Sequence, residues 1–407
     1  MTTFAPATIR IGTASIQQLL ETVSLYLHIP FCHTRCHYCD FNTYAGILPL
    51  REPYVRALLT EISLVGKLAQ QTGGSEQPCR TRTIFFGGGT PSLLSVDQIS
   101  HILEACREAF AVDVDAEITL EANPGTLNQE HLRGLRAAGA NRLSIGGQSF
   151  DAELLKTLGR IHSPKEITQA VQYARAAGFS SINVDFMFGL PGQTMQHWRE
   201  TIDRALDLRP EHLSLYSLIV EEGTPFYSWV REGRISPGDE DLCADMYEYA
   251  DEHLQDAGYE NYEISNWSLP GHQCRHNLTY WHNLPYLGMG AGAYSSFGGR
   301  RFSNQREPLE YIRLLKQGQL PEAESEVVER AQEMSETAFL ALRTAQGLHL
   351  PTFEQRFGIS FTRFVGDRLH PVEEAGLLEY DPTSGWLHLS KRGRLLGNEV
   401  FFRLLPD

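Results

Sequence analysis

Ser24-Leu-Tyr-Leu-His-Ile-Pro-Phe-Cys-His-Thr-Arg-Cys-His-Tyr-Cys39 is the stretch on which the reading of the chain turns. An apolar-alternating run leads directly into Cys32, Cys36 and Cys39, spaced C-x3-C-x2-C. The pattern predicts a short strand that delivers three thiols to one small volume at its end. Three thiolates suit an iron-sulfur cluster one ligand short: four cysteines close a [4Fe-4S] cluster, whereas three leave one iron open to a substrate or cofactor. The competing reading is a structural zinc site of three thiolates plus one of His28, His33 or His37. Structural zinc knuckles usually come as two C-x2-C pairs, and no second pair follows.

The rest of the composition narrows the class. With 407 residues the chain can hold one large domain and a smaller one. No apolar run approaches the roughly 20 residues that span a bilayer, so a soluble protein without a transmembrane segment is expected. The N-terminus lacks a basic region followed by an apolar one, which predicts reduced thiols and a cytoplasmic location. A formal net charge of -15 argues against binding nucleic acid, which needs a basic face. Cys79, Cys106, Cys243 and Cys274 are scattered without ligand spacing.

Working outward from the cysteines, strand-like and helix-like segments alternate, the signature of parallel βα units. Strands are expected at 24–30, 83–87, 117–122, 142–147, 181–188 and 212–219, and helices at 51–71, 95–111, 128–138, 151–158, 164–177 and 194–207. Six such units make either an open doubly wound sheet or a partial (β/α) barrel. Alternation decides between them: Asn183 and Asp185 share one face of their strand, Glu117 and Glu121 one face of theirs. Ordinary closed barrels fill the interior with Val, Ile and Leu, so carboxylates turned inward predict a wide or open barrel around a polar ligand. A helix at 238–257, an aromatic-rich loop from Tyr259 to Tyr286 and a glycine-rich run from Gly288 follow. From about 300, helices at 307–317, 326–345 and 361–375, a hairpin over 377–389 and a closing helix at 391–404 suggest a small winged-helix-like module. Its acidity favours an interaction or lid role. The expected division is a lead-in at 1–22, a barrel at 23–300 and a C-terminal domain at 301–407.

Chemistry-bearing residues recur at the strand ends. Phe86-Gly-Gly-Gly-Thr-Pro91 is either a tight turn or a loop whose free N–H groups meet an anion. Glu121 either accepts hydrogen bonds from a ligand or forms a rim ion pair. Gln148, Arg160 and Asp185 end later units. In Arg275-His-Asn-Leu-Thr-Tyr-Trp-His282, a helical turn sets His276 beside Tyr280, with Asn277 placed to orient the ring. The histidine is either a hydrogen-bonded structural residue or an axial ligand to a flat macrocycle such as haem.

The cysteine spacing, with Tyr38 before the last thiol, resembles the radical S-adenosylmethionine (SAM) superfamily. There SAM chelates the open iron, and an electron from the cluster cleaves it to a 5'-deoxyadenosyl radical. Tyr26-x-His-Ile-Pro-Phe-Cys32, Gly87-Gly-Gly-Thr-Pro91 and Gly189-Leu-Pro-Gly192 together resemble the oxygen-independent coproporphyrinogen III oxidase (HemN-like) family, most closely its haem-chaperone branch, HemW. The likeness runs from Tyr26 to Trp281 and more weakly to the closing helix. It implies a partial (β/α)6 radical SAM barrel with a C-terminal α+β winged-helix-like domain. It also implies a [4Fe-4S] cluster on Cys32, Cys36 and Cys39, and SAM against Tyr26, Tyr38, Gly88, Gly89, Thr90 and Glu121. Gln148, Arg160 and Asp185 match pocket positions, some of which serve a second SAM in the oxidase. His276 to Trp281 resembles the chaperone's haem motif, with His276 as haem ligand. The implied partners are haem, apo-haemoproteins of respiration, soluble or at the membrane, and a reductant for the cluster. The lead-in is shorter than the oxidase's, and Phe41 stands where the oxidase has a fourth cysteine. Decarboxylation of coproporphyrinogen III and SAM-dependent methylation are the rival activities. Gly147 departs from the bulkier apolar residue usual before the glutamine, which puts the pocket's shape there in question.

Overall fold

The computed structural model describes residues 20–72 and 77–405, so most of the expected 1–22 lead-in lies outside the described residues. Six strands carry the βα repeat: β1 (Thr22–Ile29), β2 (Arg80–Gly88), β3 (Ala111–Ala122), β4 (Arg142–Gln148), β5 (Ile182–Phe188) and β6 (His212–Ser217). Each pairs in parallel with the next. The intervening helices are α1 (Arg51–Thr72), α2 (Val96–Ala109), α3 (Gln129–Ala138), α4 (Ala152–Thr157), α5 (Pro164–Ala176) and α6 (Met195–Asp207). Their starts are set locally by side-chain caps: Ser95, with Gln98 closing the box, Asn128, Asp151 and Thr194 each satisfy an N–H of the first turn.

The sheet extends beyond the repeat at both edges. On one side stand β7 (Glu260–Glu263) and β8 (Asn266–Ser268); on the other β9 (Tyr286–Met289), β10 (Tyr294–Phe297), β11 (Arg300–Asn304) and β12 (Glu322–Val327). The order is β12-β11-β10-β9-β1-β2-β3-β4-β5-β6-β8-β7, with the two end strands unpaired to each other. Among the described residues the strand order is that of a partial barrel, in keeping with the wide or open barrel that the inward carboxylates predict. Because β9 runs parallel to β1, this sheet holds seven parallel strands among the described residues, not six. The glycine-rich run is the end of β9 and its turn. Gly290 has φ +106, and a Cβ there would lie 2.4 Å from the carbonyl oxygen of His28, so only glycine lets the turn press against β1.

Apolar residues of the strands face the helices. Ile182, Val184 and Phe186 are fully buried in the main core with Trp198 and Ile202 of α6, while Asn183 and Asp185 point into the barrel. The sheet runs past residue 300, to Val327, and Tyr311, Ile312 and Leu315 of the helix that follows β11 join the main core. A second core gathers residues from Met334 to Leu404 around a three-stranded antiparallel sheet. Its expected helix at 361–375 is broken. Gly366 adopts φ 54, ψ -136, and the segment becomes two short helices, Phe361–Val365 and His370–Glu374, joined by a 3-10 turn. The closing helix is also divided, at Leu396 (φ -110, ψ 26).

Candidate functional site

The cysteine loop leaves β1 and is closed at its base, where Phe31–Cys32 pairs with Tyr44–Ala45. Cys32, Cys36 and Cys39 open into one cavity of about 470 Å³ at the C-terminal ends of the parallel strands. Each thiol has a polar neighbour: Thr90 Oγ1 donates to Cys32 Sγ (3.7 Å), Arg160 Nη1 donates to Cys36 Sγ (3.4 Å), and Thr43 Oγ1 lies 3.8 Å from Cys39 Sγ. Burial pushes the Cys32 and Cys39 thiols up, so a bound cation is what would hold them as thiolates. Among the described residues, no histidine stands ready as the fourth ligand of the zinc alternative. His28 Nε2 is bonded to the Asn42 carbonyl (2.9 Å) and its Nδ1 to Tyr26 Oη (3.1 Å). His37 Nδ1 is bonded to the Thr157 carbonyl, and His33 lines a different groove with Arg51 and His131. Among the described residues, no three His, Cys, Asp or Glu side chains converge on a single-ion site. Thiols spread around a roomy cavity suit a cluster with an open position better than a tetrahedral ion.

The strand ends supply the rest of the wall. Gly88, Gly89, Thr90, Glu121, Gln148, Arg160, Asp185 and Tyr38 all line the cavity. One expectation for the glycines is corrected: their N–H groups are not free. Gly88 N–H donates to Glu121 Oε2 (3.0 Å), Gly89 N–H to the Ile29 carbonyl (2.8 Å) and Thr90 N–H to the Phe31 carbonyl (2.8 Å). A side chain of β3 takes the first, and the chain at and just past the end of β1 takes the other two. The glycines serve close approach instead, since a Cβ on Gly88 would sit 2.5 Å from the His28 ring. Burial, then the nearby Asp185, pushes the Glu121 carboxyl up to about 8. Burial also raises Asp185, against hydrogen bonds from Asn183 (2.6 Å) and Ser144 (3.4 Å). Arg160 is braced by Nη2 on the Gly146 carbonyl (2.7 Å). Gln148 reaches the cavity from a left-handed backbone, φ 66. Tyr26 is set apart: it stacks on Phe85 at 6.2 Å between centroids, and Phe85 is the ring that lines the cavity. Arg142, Ser144, Asn183, Ser214 and Tyr216 also line it. They share the inward parity of Gly146 and Asp185, a signal that period-2 counting along β4 to β6 could have yielded.

His276 lies elsewhere, 1% exposed, on helix Arg275–Trp281. Its Nδ1 is 2.8 Å from Thr83 Oγ1 and its Nε2 2.9 Å from Tyr280 Oη, so both ring nitrogens are engaged. The ring stacks on Phe85 at 5.0 Å, and burial, then Arg142, lowers it to about 3, a neutral imidazole. Glu117 on β3 accepts the N–H groups of Arg275 and His276, both at 2.9 Å, which explains its inward carboxylate. The helical juxtaposition with Tyr280 is as expected. Asn277, however, does not orient the ring: it lines the cavity, and Thr83 on β2 takes that role. A partner 193 positions away carries no local sequence signal.

The profile of the Radical SAM superfamily matches residues 26–205, and that of the HemN C-terminal domain residues 328–396. The chain is 38% identical to the heme chaperone HemW of Bacillus subtilis over 94% of this chain and 99% of that protein. The chain belongs to the HemW family of radical SAM proteins. Its HemW relatives include that of Escherichia coli, 43% identical over 68% of this chain and 70% of the relative. Among solved structures, the coproporphyrinogen III oxidase HemN of Escherichia coli, described as a radical SAM enzyme, superposes with TM-score 0.81. It is 26% identical, and the match covers 95% of this chain and 90% of that one. Set within the HemW family, the glycine at 147 acquires a location: a Cβ there would meet Val184, Ile167 and Phe186 at 3.2–3.3 Å, on the helix side of the sheet. The change therefore touches the core and not the pocket. Among the described residues no helix is long and apolar enough to cross a membrane.

Proposed function

We propose that the chain holds a [4Fe-4S] cluster on Cys32, Cys36 and Cys39, binds SAM in the adjoining cavity, and carries haem to apo-haemoproteins of respiration. The observation that carries the reading is the opening of three thiols into one cavity at the strand ends, with no histidine among its described lining residues. A cluster of this kind supplies the electron that cleaves SAM. The residues of the chain bind and orient. Arg160 and Thr90 donate to the sulfurs of Cys36 and Cys32; Glu121, held by Gly88 N–H, would accept from the ligand's amino or hydroxyl groups; Tyr38, Gln148 and Asp185 shape the remaining wall. Haem ligation by His276 belongs to the same proposal, and it would require a ring nitrogen to give up Thr83 or Tyr280 for iron. A cluster reductant and a cytoplasmic setting complete it.

Anaerobic reconstitution tests the cluster: the reduced protein should give a cluster signal in electron paramagnetic resonance that changes on adding SAM. Zinc in place of iron, or a signal indifferent to SAM, overturns that half. Titration with haem of the intact chain and of His276→Ala tests the other half, and an absorption spectrum indifferent to protein removes the chaperone reading. The likeness to the Escherichia coli oxidase over nearly the whole chain favours a second reading, anaerobic decarboxylation of coproporphyrinogen III, which product analysis decides.

A further inference from the structure

Arg142 begins β4 on the inward face, is 3% exposed, and lines the cavity. Its Nε has no hydrogen-bond partner, and although the charges of Glu117 and Asp185 act on the guanidinium, neither carboxylate pairs with it directly. A buried guanidinium whose donors are left unmet is costly, and proteins rarely leave one so. The carboxylates around it are already engaged. Glu117 accepts the N–H groups of Arg275 and His276, Glu121 accepts Gly88 N–H, and Asp185 is bonded to Asn183 and Ser144. The strand rises roughly 3.3 Å per residue, so Arg142 starts about 13 Å below Gly146, deep beneath the cysteine loop. Asn277 lines the same cavity.

We infer that Arg142 is an anchor for the carboxylate of a ligand that reaches into the interior of the barrel. The planar fork of arginine matches a carboxylate with two parallel bonds. This rests on the proposed function for the identity of the ligand. A carboxylate could come from a haem propionate or from the amino-acid end of a SAM molecule, and the shared chemistry is what the guanidinium reads.

The test uses the full-length chain and R142Q, with R142K as the variant that keeps charge but loses the fork. Succinate, a small dicarboxylate, should raise the melting temperature of the wild type and not that of R142Q. Haem against haem dimethyl ester, and SAM against 5'-methylthioadenosine, separate the two sources. For the true ligand, R142Q should weaken binding about ten-fold or more, leave the carboxylate-free analogue unchanged, and R142K should fall between. An equal succinate response in both proteins, or wild-type affinity that ignores the carboxylate in both ligand pairs, overturns the inference, and the second result needs no folded variant. If the wild type binds neither haem nor SAM, the proposed function falls, while the succinate arm still judges Arg142.

Discussion

Replacing Asn42 by alanine should loosen the cysteine loop without unfolding the barrel. Asn42 Nδ2 donates to the carbonyls of Ala291 and Arg306, both at 2.9 Å, and Oδ1 accepts from Tyr44 Oη at 3.1 Å. Gly292 leaves the notch that admits the amide: a Cβ there would lie 2.5 Å from Nδ2. The far side of the notch is rigid. Glu61 accepts Gly290 N–H (2.7 Å), Asn304 Nδ2 (2.5 Å) and Tyr311 Oη (2.6 Å), and Tyr54 Oη bridges Ala291 N–H to the His28 carbonyl. Three neutral hydrogen bonds at about 1 kcal/mol each give about 3 kcal/mol. The bond to Arg306 is exposed, so water replaces it, leaving about 2 kcal/mol, roughly a 30-fold rise in the local opening equilibrium. The assay is the anaerobic rate at which a ferrous chelator strips iron from the reconstituted protein, read beside the melting temperature. Iron loss at the wild-type rate, with the variant folded, would refute the view that Asn42 fastens the loop.

Other expectations follow from the same geometry. Burial pushes the Glu61 carboxyl from 4.5 up to about 7, so between those values the folded state binds more protons than the unfolded one and stability falls as pH rises. The difference between wild type and Glu61→Gln in chemical denaturation should therefore change by about 3 kcal/mol between pH 4.5 and 7 and level off above, and a flat difference contradicts it. His276→Ala removes one buried and one part-buried hydrogen bond and a stacked ring, and should cost about 3 kcal/mol or more, against about 1 kcal/mol for Tyr280→Phe, by urea titration. Gly88→Ala should prevent stable folding or cluster assembly, because φ +109 and the His28 ring both oppose a Cβ. Gly147→Ala should leave the SAM dissociation constant unchanged while shifting the melting temperature only slightly, since its neighbours lie on the core side.

Much of this molecule was legible in the chain. The βα rhythm placed all six strands of the repeat, because apolar alternation and capping residues such as Ser95 and Asn128 act within a few positions of themselves. The triad Cys32, Cys36 and Cys39 was equally local, as was the inward parity of Asp185 and Glu121. Tertiary structure decided what depends on partners far away in sequence. Glu121 took the N–H of Gly88 and the carbonyls of Ile29 and Phe31 those of Gly89 and Thr90; Thr83 and Tyr280 together occupied both nitrogens of His276; β9 returned beside β1 to widen the sheet; and Arg142 was left buried with its Nε unpaired. Sequence specifies which groups a residue carries and the local period that aims them, but whether a donor is free or already bonded is fixed only when distant strands meet.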